Sequence, residues 1–183
     1  MMNRFALPLV VFALLVFVLA IGIKHSPEKG IVVSPLLGKP APEFSLPNLM
    51  QAGNTISTSQ LKGRWYLFNV WGTWCIACRQ EHPTLLEVAK QGVIPIIGLD
   101  WRDDDSEAHS WLAQLGNPYE VIAVDRDGRE AIDWGVTAAP ESFLVNPQGI
   151  VVYKVTGEIT PDIWEHEILP RLPQRQASAK NPS

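Results

Sequence analysis

The sequence predicts a mixed α/β domain in which parallel strands alternate with helices and an antiparallel hairpin comes last. Residues 65–71 and 93–100 are apolar runs of the kind that form buried strands, and residues 81–91 between them have helical spacing. Near the C-terminus, two further apolar strands flank residues 146–149, which have the composition of a hairpin turn. This order predicts a mixed central sheet with helices on both faces.

The other elements follow from local signals along the chain. Gly92 closes the central helix, and Pro83 is expected to bend it because the proline ring clashes with the preceding turn. Acidic residues at 103–107 begin a further helix, where they cap its first turn more plausibly than they bind a metal. The remaining predicted elements are the strand pair 44–46 and 55–57, the helical turn 57–63, the strand 121–124, the short helix 129–134, the strands 142–145 and 150–155, and the final helix 160–169.

The N-terminus differs from the rest of the chain. Residues 5–23 form an uncharged apolar run of 19 residues between Arg4 and Lys24, which is long enough to cross a bilayer. A signal peptide would have a shorter apolar core and a clearer cleavage site. We therefore expect a single uncleaved transmembrane helix at residues 1–23, with Arg4 held in the cytoplasm.

This organisation leaves one ordinary domain plus extensions. A linker is expected at residues 24–37, the folded domain at 38–172 and a disordered polar tail at 173–183. The 15 Lys and Arg against 19 Asp and Glu give a net charge of −4 with no basic run, so no nucleic-acid partner is expected.

The two cysteines of the chain, Cys75 and Cys78, lie where a predicted strand passes into a predicted helix. Residues three apart on a helix have Cβ atoms roughly 5–6 Å apart, and a disulfide needs roughly 3.5–4.5 Å. A small adjustment can therefore join or separate the sulfurs. The helix N-terminus also favours the thiolate, which is the reactive form. Cys75 is expected to be the exposed nucleophile and Cys78 the more buried resolving thiol.

Other uses of a Cys-x-x-Cys pair fit less well. Structural zinc normally needs four ligands, and the sequence has no second cysteine pair. Covalent haem attachment would require histidine at the position of Arg79. A disulfide that closes so small a ring stabilises a fold weakly. The pattern therefore predicts a redox-active disulfide, Cys75–Cys78, with no metal and no cofactor.

Several motifs resemble the thioredoxin superfamily, namely Trp74-Cys-x-x-Cys78 and Ala139-Pro140-Glu141 leading into a strand. Three stretches are similar to one group within it, the DsbE/CcmG thiol:disulfide interchange proteins of cytochrome c maturation. These stretches are residues 69–82, 111–119 and 135–144. The resemblance spans about residues 36–172. It implies a thioredoxin-like fold with an N-terminal β-extension, preceded by a membrane anchor.

The resemblance also implies roles for single residues. Pro140 would be a cis-proline facing the disulfide, Ala138 and Ala139 would pair with a partner chain, and Trp74 would supply an apolar docking contact. Glu81 and Glu141 would be acids near the sulfurs, and Glu81 would accept the proton of Cys78. From the residues alone, each glutamate could equally be a solvated surface residue, and Trp74 could be a core residue.

Two positions depart from common patterns. Asn69 stands where general thioredoxins carry a buried aspartate, as it does in the DsbE/CcmG group. Ile76 and Ala77 separate the cysteines where this group often has proline first, so the redox potential is left open.

The function implied is that of a reductant on the periplasmic side of a bacterial inner membrane. Its partners would be oxidised apocytochrome c or another maturation thiol protein, and a DsbD-like transmembrane thiol reductase would return electrons to it. A general extracytoplasmic reductase with other clients, or a non-catalytic module that binds apocytochrome, would be the alternatives. A peroxiredoxin is disfavoured because the Pro-x-x-x-Thr-x-x-Cys pattern does not precede Cys75.

Overall fold

The computed structural model describes residues 6–24 and 34–173, which fall into two compact units divided between Val33 and Ser34. The first unit contains helix α1, Ala6–Lys24. Much of the linker expected at 24–37, and all but the first residue of the tail expected at 173–183, lie outside the described residues. Within the described ranges, no helix combines the length and apolarity needed to cross a membrane.

The second unit is built from seven strands and five helical segments among the residues described. The strands are β1 (Ser45–Pro47), β2 (Thr55–Ser57), β3 (Tyr66–Trp71), β4 (Ile96–Trp101), β5 (Val121–Asp125), β6 (Glu141–Val145) and β7 (Val151–Thr156). The helices are α2 (Thr58–Leu61), α3 (Ile76–Gln91), α4 (Asp105–Leu115), α5 (Arg129–Asp133) and α6 (Pro161–Ile163), the last continuing as a π-helix (Trp164–Ile168) and a 3₁₀ turn (Leu169–Arg171).

A five-stranded mixed sheet organises this unit, with the strand order β5-β4-β3-β6-β7. Strand β3 is parallel to β4 and antiparallel to β6, and β4 is parallel to β5. Strands β1 and β2 form a separate antiparallel pair. The predicted α/β fold with a mixed sheet and a final hairpin is therefore confirmed, and so is the short N-terminal strand pair.

Alternation along the strands divides the core into two faces. In β3, Leu67 and Trp71 belong to one apolar cluster, which we call the first face, while Phe68 and Val70 belong to the other, the second face. All six residues of β3 are buried, as expected for a central strand covered on both sides. Both cysteines belong to the first face.

Two boundaries differ from those the sequence predicts. Strand β4 begins at Ile96 instead of residue 93, in keeping with the lack of a backbone N–H at Pro95. The final helix is regular only at Pro161–Ile163 and then widens into a π-helix, in which the N–H of Leu169 donates to the carbonyl oxygen of Trp164. Apolar periodicity does not distinguish these two hydrogen-bonding patterns.

Candidate functional site

The disulfide Cys75–Cys78 forms at the junction of β3 and α3, with the two Cα atoms 5.2 Å apart. Cys75 is the N-cap of α3 and has extended backbone angles, and its N–H donates to the carbonyl oxygen of Gly72 at 3.1 Å. Cys78 lies in the first helical turn. The sulfurs therefore occupy the predicted place, where a buried strand becomes a helix.

The sulfur of Cys75 lies among the unpaired N–H groups of the helix start. The backbone N–H of Cys78 donates to Cys75 Sγ at 3.1 Å. A donor at this distance, together with the positive end of the helix dipole, stabilises a negative charge on that sulfur once the disulfide is reduced. This geometry supports the expectation that Cys75 is the attacking thiol.

The expectation that Cys75 is exposed is wrong for the disulfide form. Cys75 is 5% exposed and Cys78 is 2% exposed, so the two cysteines hardly differ. Both sulfurs belong to the apolar cluster of the first face, and the side chains of Ala77 and Ala139 pack against that cluster. Only a small part of Cys75 is therefore accessible to a partner in the disulfide form.

Those neighbours are apolar and exposed. Trp74 is 53% exposed and Ile76 is 78% exposed. The indole N–H of Trp74 donates to the carbonyl oxygen of Trp101 at 3.1 Å, and the two indole rings meet edge to face at 5.6 Å. Trp74 is thus a surface residue whose side chain is fixed by Trp101. The alternative that it is a core residue is excluded.

The segment before β6 contains the residues that are predicted to face the disulfide or to pair with a partner chain. The peptide bond Ala139–Pro140 is cis. Pro140 is buried, Ala139 is half-buried and Ala138 is exposed. None of the loop and turn hydrogen bonds between described residues involves the backbone of Ala138 or Ala139.

Glu81 lies one helical turn beyond Cys78 and is only 1% exposed, so the surface alternative for it is wrong. Its Oε1 accepts from Asn69 Nδ2 and its Oε2 accepts from the backbone N–H of Ile159, both at 2.9 Å. Burial raises the pKa of Glu81 to about 7, although these two hydrogen bonds act in the opposite direction. A carboxyl group with this pKa can take up or release a proton near neutral pH.

Asn69 connects Glu81 to the rest of the first face. Its Nδ2 donates to Glu81 and also to Ser142 Oγ at 2.9 Å, while its Oδ1 accepts from the hydroxyl of Tyr119 at 2.9 Å. An aspartate in this place would offer no N–H to Glu81 and would add a second carboxylate. The asparagine therefore gives Glu81 a neutral donor as its neighbour in place of a second carboxylate.

Glu141 is fully buried, but it does not lie on the face of the disulfide. It pairs with Val70 in the β3–β6 register, and Val70 belongs to the second face. Its Oε2 lies 2.7 Å from Lys154 Nζ, and its Oε1 accepts from Thr137 Oγ1 at 2.9 Å. The expectation that Glu141 lies near the sulfurs is therefore wrong, because one step along a strand reverses the side of the sheet. For Glu81, one turn beyond Cys78 on α3, the expectation stays a prediction.

His82 also has a defined place that its sequence position did not reveal. Its Nε2 lies 3.0 Å from the carbonyl oxygen of Gly116, and its Nδ1 accepts from Trp111 Nε1 at 3.4 Å. These two bonds require a neutral ring protonated at Nε2. Burial lowers the pKa of His82, in agreement with that state. The side chain ties α3 to α4.

The acidic run before α4 divides into separate roles. Asp104 is the N-cap of α4, as the sequence predicts, whereas Asp103 turns back and accepts two hydrogen bonds from Thr73, next to Trp74. Within residues 6–24 and 34–173, no three His, Cys, Asp or Glu side chains form a group that could hold a metal ion. Asp100, at the end of β4, is buried on the first face of the sheet. The sequence alone did not single it out, because it follows an apolar run and has the pattern of a strand end.

The chain is similar to known proteins. The chain matches the Redoxin family over residues 36–168. It is 41% identical over 174 residues to the thiol:disulfide interchange protein DsbE of Allochromatium vinosum, covering 95% of each chain. It is 44% identical over 164 residues to DsbE of Xylella fastidiosa, covering 90% of this chain and 81% of that one.

A solved structure supports the fold. The crystal structure of a secreted thiol-disulfide isomerase from Corynebacterium glutamicum has a TM-score of 0.64 at 22% identity, over 77% of this chain and 92% of that one. At 22% sequence identity, this similarity supports the fold alone. The sequence identities extend along nearly the whole chain, and the disulfide lies at the start of α3. The chain therefore belongs to the DsbE thiol:disulfide interchange proteins of the redoxin family, as its motifs predict, and is a thiol:disulfide oxidoreductase.

Proposed function

We propose that this oxidoreductase serves as a reductant in cytochrome c maturation. Its substrate would be the disulfide of an apocytochrome c Cys-x-x-Cys-His segment, reduced directly or through another maturation thiol protein. The observation that carries the reductive direction is the buried Glu81, one turn from Cys78 on the face of the disulfide. The motifs of the sequence and the DsbE relatives support the client class.

Thiol exchange requires the reduced form of the protein. The thiolate of Cys75 attacks one sulfur of the partner disulfide, a Cys75–partner disulfide forms, and the other partner sulfur leaves as a thiolate that takes up a proton. Cys78 then loses its proton and attacks Cys75 Sγ. The Cys75–Cys78 disulfide forms, and the second partner sulfur leaves and is protonated. Two electrons and two protons pass to the partner.

Glu81 is proposed to accept the proton that Cys78 releases, directly or through water. Positions three apart on α3 place its carboxyl group on the side of the helix that carries Cys78. With a pKa of about 7, Glu81 is partly ionised at neutral pH and can act as this base. Its negative charge also opposes a thiolate nearby, which raises thiol pKa values and strengthens the dithiol as a reductant.

The partner chain is proposed to dock across the exposed rim of the disulfide. Trp74 offers an indole face whose position is fixed by its bond to Trp101. The backbone of Ala138 and Ala139, which takes no part in the internal loop hydrogen bonds described above, could pair with an extended partner segment before Pro140. Glu141 would support this segment from below through Thr137, without contact with the sulfurs.

The domain arrangement of the chain remains a proposal. We place a membrane anchor at residues 1–23, a linker at 24–37 and the redox domain at 38–172, on the periplasmic side of a bacterial inner membrane. The support is the uncharged run at residues 5–23 and the family match that begins at residue 36. A DsbD-like transmembrane reductase would return electrons to the disulfide. Alkaline carbonate extraction of membranes tests the anchor: release of the full-length chain into the supernatant would overturn it.

Equilibration with glutathione tests the reductive direction. We expect a reduction potential more negative than about −180 mV, the range of protein disulfide isomerase. A more positive value would remove the reductant proposal, since the protein would then oxidise most clients.

A competition assay tests the client. The reduced full-length chain is mixed with an oxidised Cys-x-x-Cys-His peptide and with an unrelated disulfide peptide of equal length. Faster reduction of the first peptide is expected, and a Cys78→Ser variant should trap it as a mixed disulfide. Equal rates would favour a general reductase. Undiminished cytochrome maturation with a Cys75→Ser variant would instead indicate a binding module without catalysis.

A further inference from the structure

Asp100 is a buried acid that thiol exchange as described above does not use. It ends β4, where it pairs with Trp71 of β3, so its side chain lies on the first face together with the disulfide. The residue is fully buried. Neither carboxyl oxygen accepts a hydrogen bond from a donor within residues 6–24 and 34–173.

The carboxyl group of Asp103 acts on Asp100 as a nearby negative charge and as a side-chain hydrogen-bond partner, and both effects raise the pKa of Asp100. Two carboxylates cannot bond to each other unless one of them carries a proton, because an ionised carboxylate only accepts. An ionised pair in this place would also repel at short range in a medium of low dielectric constant. A protonated Asp100 removes both difficulties, because it can donate a hydrogen bond to Asp103.

Asp103 in turn holds the loop that leads to the first cysteine. Its Oδ2 accepts from the backbone N–H of Thr73 at 2.5 Å, and its Oδ1 accepts from Thr73 Oγ1 at 2.6 Å. The next residue, Trp74, is held by the carbonyl oxygen of Trp101. The end of β4 and the residues after it thus fix the two positions immediately before Cys75.

We propose that Asp100 is a positioning residue of the exchange reaction, which keeps a proton, donates it in a hydrogen bond to Asp103, and so holds Thr73, Trp74 and Cys75 in place for attack. The proposal rests on thiol:disulfide exchange alone and does not depend on the client. It concerns the placement of the attacking sulfur, whereas Glu81 concerns the proton of the resolving thiol.

The charges around Asp100 agree with a retained proton. Burial raises the pKa of Asp100 to about 8, and the facing Asp103 and the more distant Asp105 act in the same direction. Arg126 is the one cation with an opposing effect, and its guanidinium is engaged by Asp105. Tyr119, packed on the same face, stays neutral, since burial raises its pKa. Loss of the proton would set two carboxylates against each other and release Thr73.

Nuclear magnetic resonance of the full-length oxidised chain tests this directly, because its sulfurs do not titrate. The Thr73 amide and Trp74 indole N–H signals are followed between about pH 6 and 9.5. We expect both to shift with a midpoint near pH 8 in the wild type. Asp100→Asn, which keeps a neutral donor of similar shape, should abolish the shift. Asp133→Asn, an identical change on the exposed surface, should retain it.

The reaction itself provides a second readout. The reduced protein is mixed with oxidised glutathione, and the rate is divided by the thiolate fraction of Cys75. Near pH 9 the wild type has lost the Asp100 proton, so Cys75 is no longer held in place, and displacement of a reacting group by about 1 Å can cost up to about 100-fold in rate. The Asp100→Asn variant keeps its neutral donor at every pH. We therefore expect its rate to match that of the wild type near pH 6.5 and to exceed it by about 3- to 10-fold near pH 9.

The proposal is overturned if the wild-type signals stay constant through this range, or if Asp100→Asn leaves their titration or the pH profile of the rate unchanged. Should Asp100→Asn not fold, the carboxyl carbon of Asp100 in ¹³C-labelled wild type gives the answer. A carboxyl group already ionised at about pH 6.5 would contradict a retained proton.

Discussion

Glu81 and Asp100 are acids whose surroundings disfavour their charge. Both lie on the first face of the sheet, and burial raises the pKa of each, to about 7 and about 8 respectively. They differ in their partners. Glu81 accepts two hydrogen bonds that favour its ionised form, whereas Asp100 faces another carboxyl group. The first can therefore lose its proton near neutral pH, while the second keeps it.

The role of Glu81 is tested by Glu81→Gln. Amide and carboxyl groups have similar shapes, but the amide cannot accept a proton, so the attack by Cys78 should slow by about 100-fold near pH 7.5, within the usual range for a positioned base. Reaction of the reduced protein with an aromatic disulfide such as Ellman's reagent separates the steps: the first thiolate released reports attack by Cys75, and the second reports attack by Cys78.

The wild-type second phase should accelerate as pH rises through about 7, the pKa of Glu81, and this rise should be absent from the variant. Glu87→Gln is the matched control, because Glu87 lies on the same helix, is exposed and pairs with Lys90. A second phase that keeps its rate and pH dependence in Glu81→Gln would refute the proton transfer.

Elements determine which of the acids can meet the sulfurs. Strand β6 carries Ser142 into the Asn69 network of the first face and Glu141 to the second face, although the residues are adjacent. On the second face, Glu141 pairs with Lys154 of β7, whose ammonium also lies 5.0 Å from the ring centre of Phe143. The strand register thus gives Glu141 a place in the core, where it holds Thr137.

The Glu141–Lys154 pair should contribute strongly to the stability of this hairpin. Lys154→Met leaves a buried carboxylate without its cation, so the free energy of unfolding should fall by about 3–5 kcal/mol. The double variant Glu141→Gln/Lys154→Met should recover a large part of the loss. Urea unfolding of the oxidised protein measures both.

Lys62→Met provides the control at the surface. Lys62 pairs with Glu43 at 2.8 Å, but both side chains are more than half exposed. Such a pair contributes at most about 1 kcal/mol. If Lys154→Met costs no more than Lys62→Met, the buried pair does not have the importance assigned to it.

The whole molecule combines these groups into one dependence of stability on pH. Glu81 and Asp100 bind protons more tightly in the folded protein than in the unfolded chain, so their stabilising effect is full below the unfolded pKa and is lost as pH rises towards the folded values. His82 acts in the opposite sense below its ordinary pKa, because burial lowers its pKa. Above about pH 6.5, of these three groups only Glu81 and Asp100 still make the stability depend on pH.

We therefore expect the oxidised protein to lose stability between about pH 6.5 and 8. The slope should approach about 1.4 kcal/mol per pH unit for each group still protonated in the folded state. Chemical unfolding at several pH values measures it. The Glu81→Gln/Asp100→Asn double variant should be nearly flat over this range, and a wild-type curve that is flat or rises would contradict both shifted pKa values.

The local sequence determined the features that depend on neighbouring residues. The Cys-x-x-Cys spacing between an apolar run and a helical pattern placed the disulfide at the start of α3, where the Cys78 N–H meets the Cys75 sulfur. Gly92 and Asp104 ended and began helices as predicted, because caps act within one turn. The mixed sheet with its antiparallel hairpin followed from the alternation of strand and helix patterns.

Tertiary structure alone decided the features that depend on distant parts of the chain. The burial of Cys75, the separation of Glu81 from Glu141 by the sheet, and the burial of Asp100 are set by register and packing between segments. A side chain's charge state depends on what surrounds it in three dimensions, since desolvation and facing charges act across space. The sequence by itself therefore identified the redox cysteines, and the fold determined which acids lie on their face of the sheet.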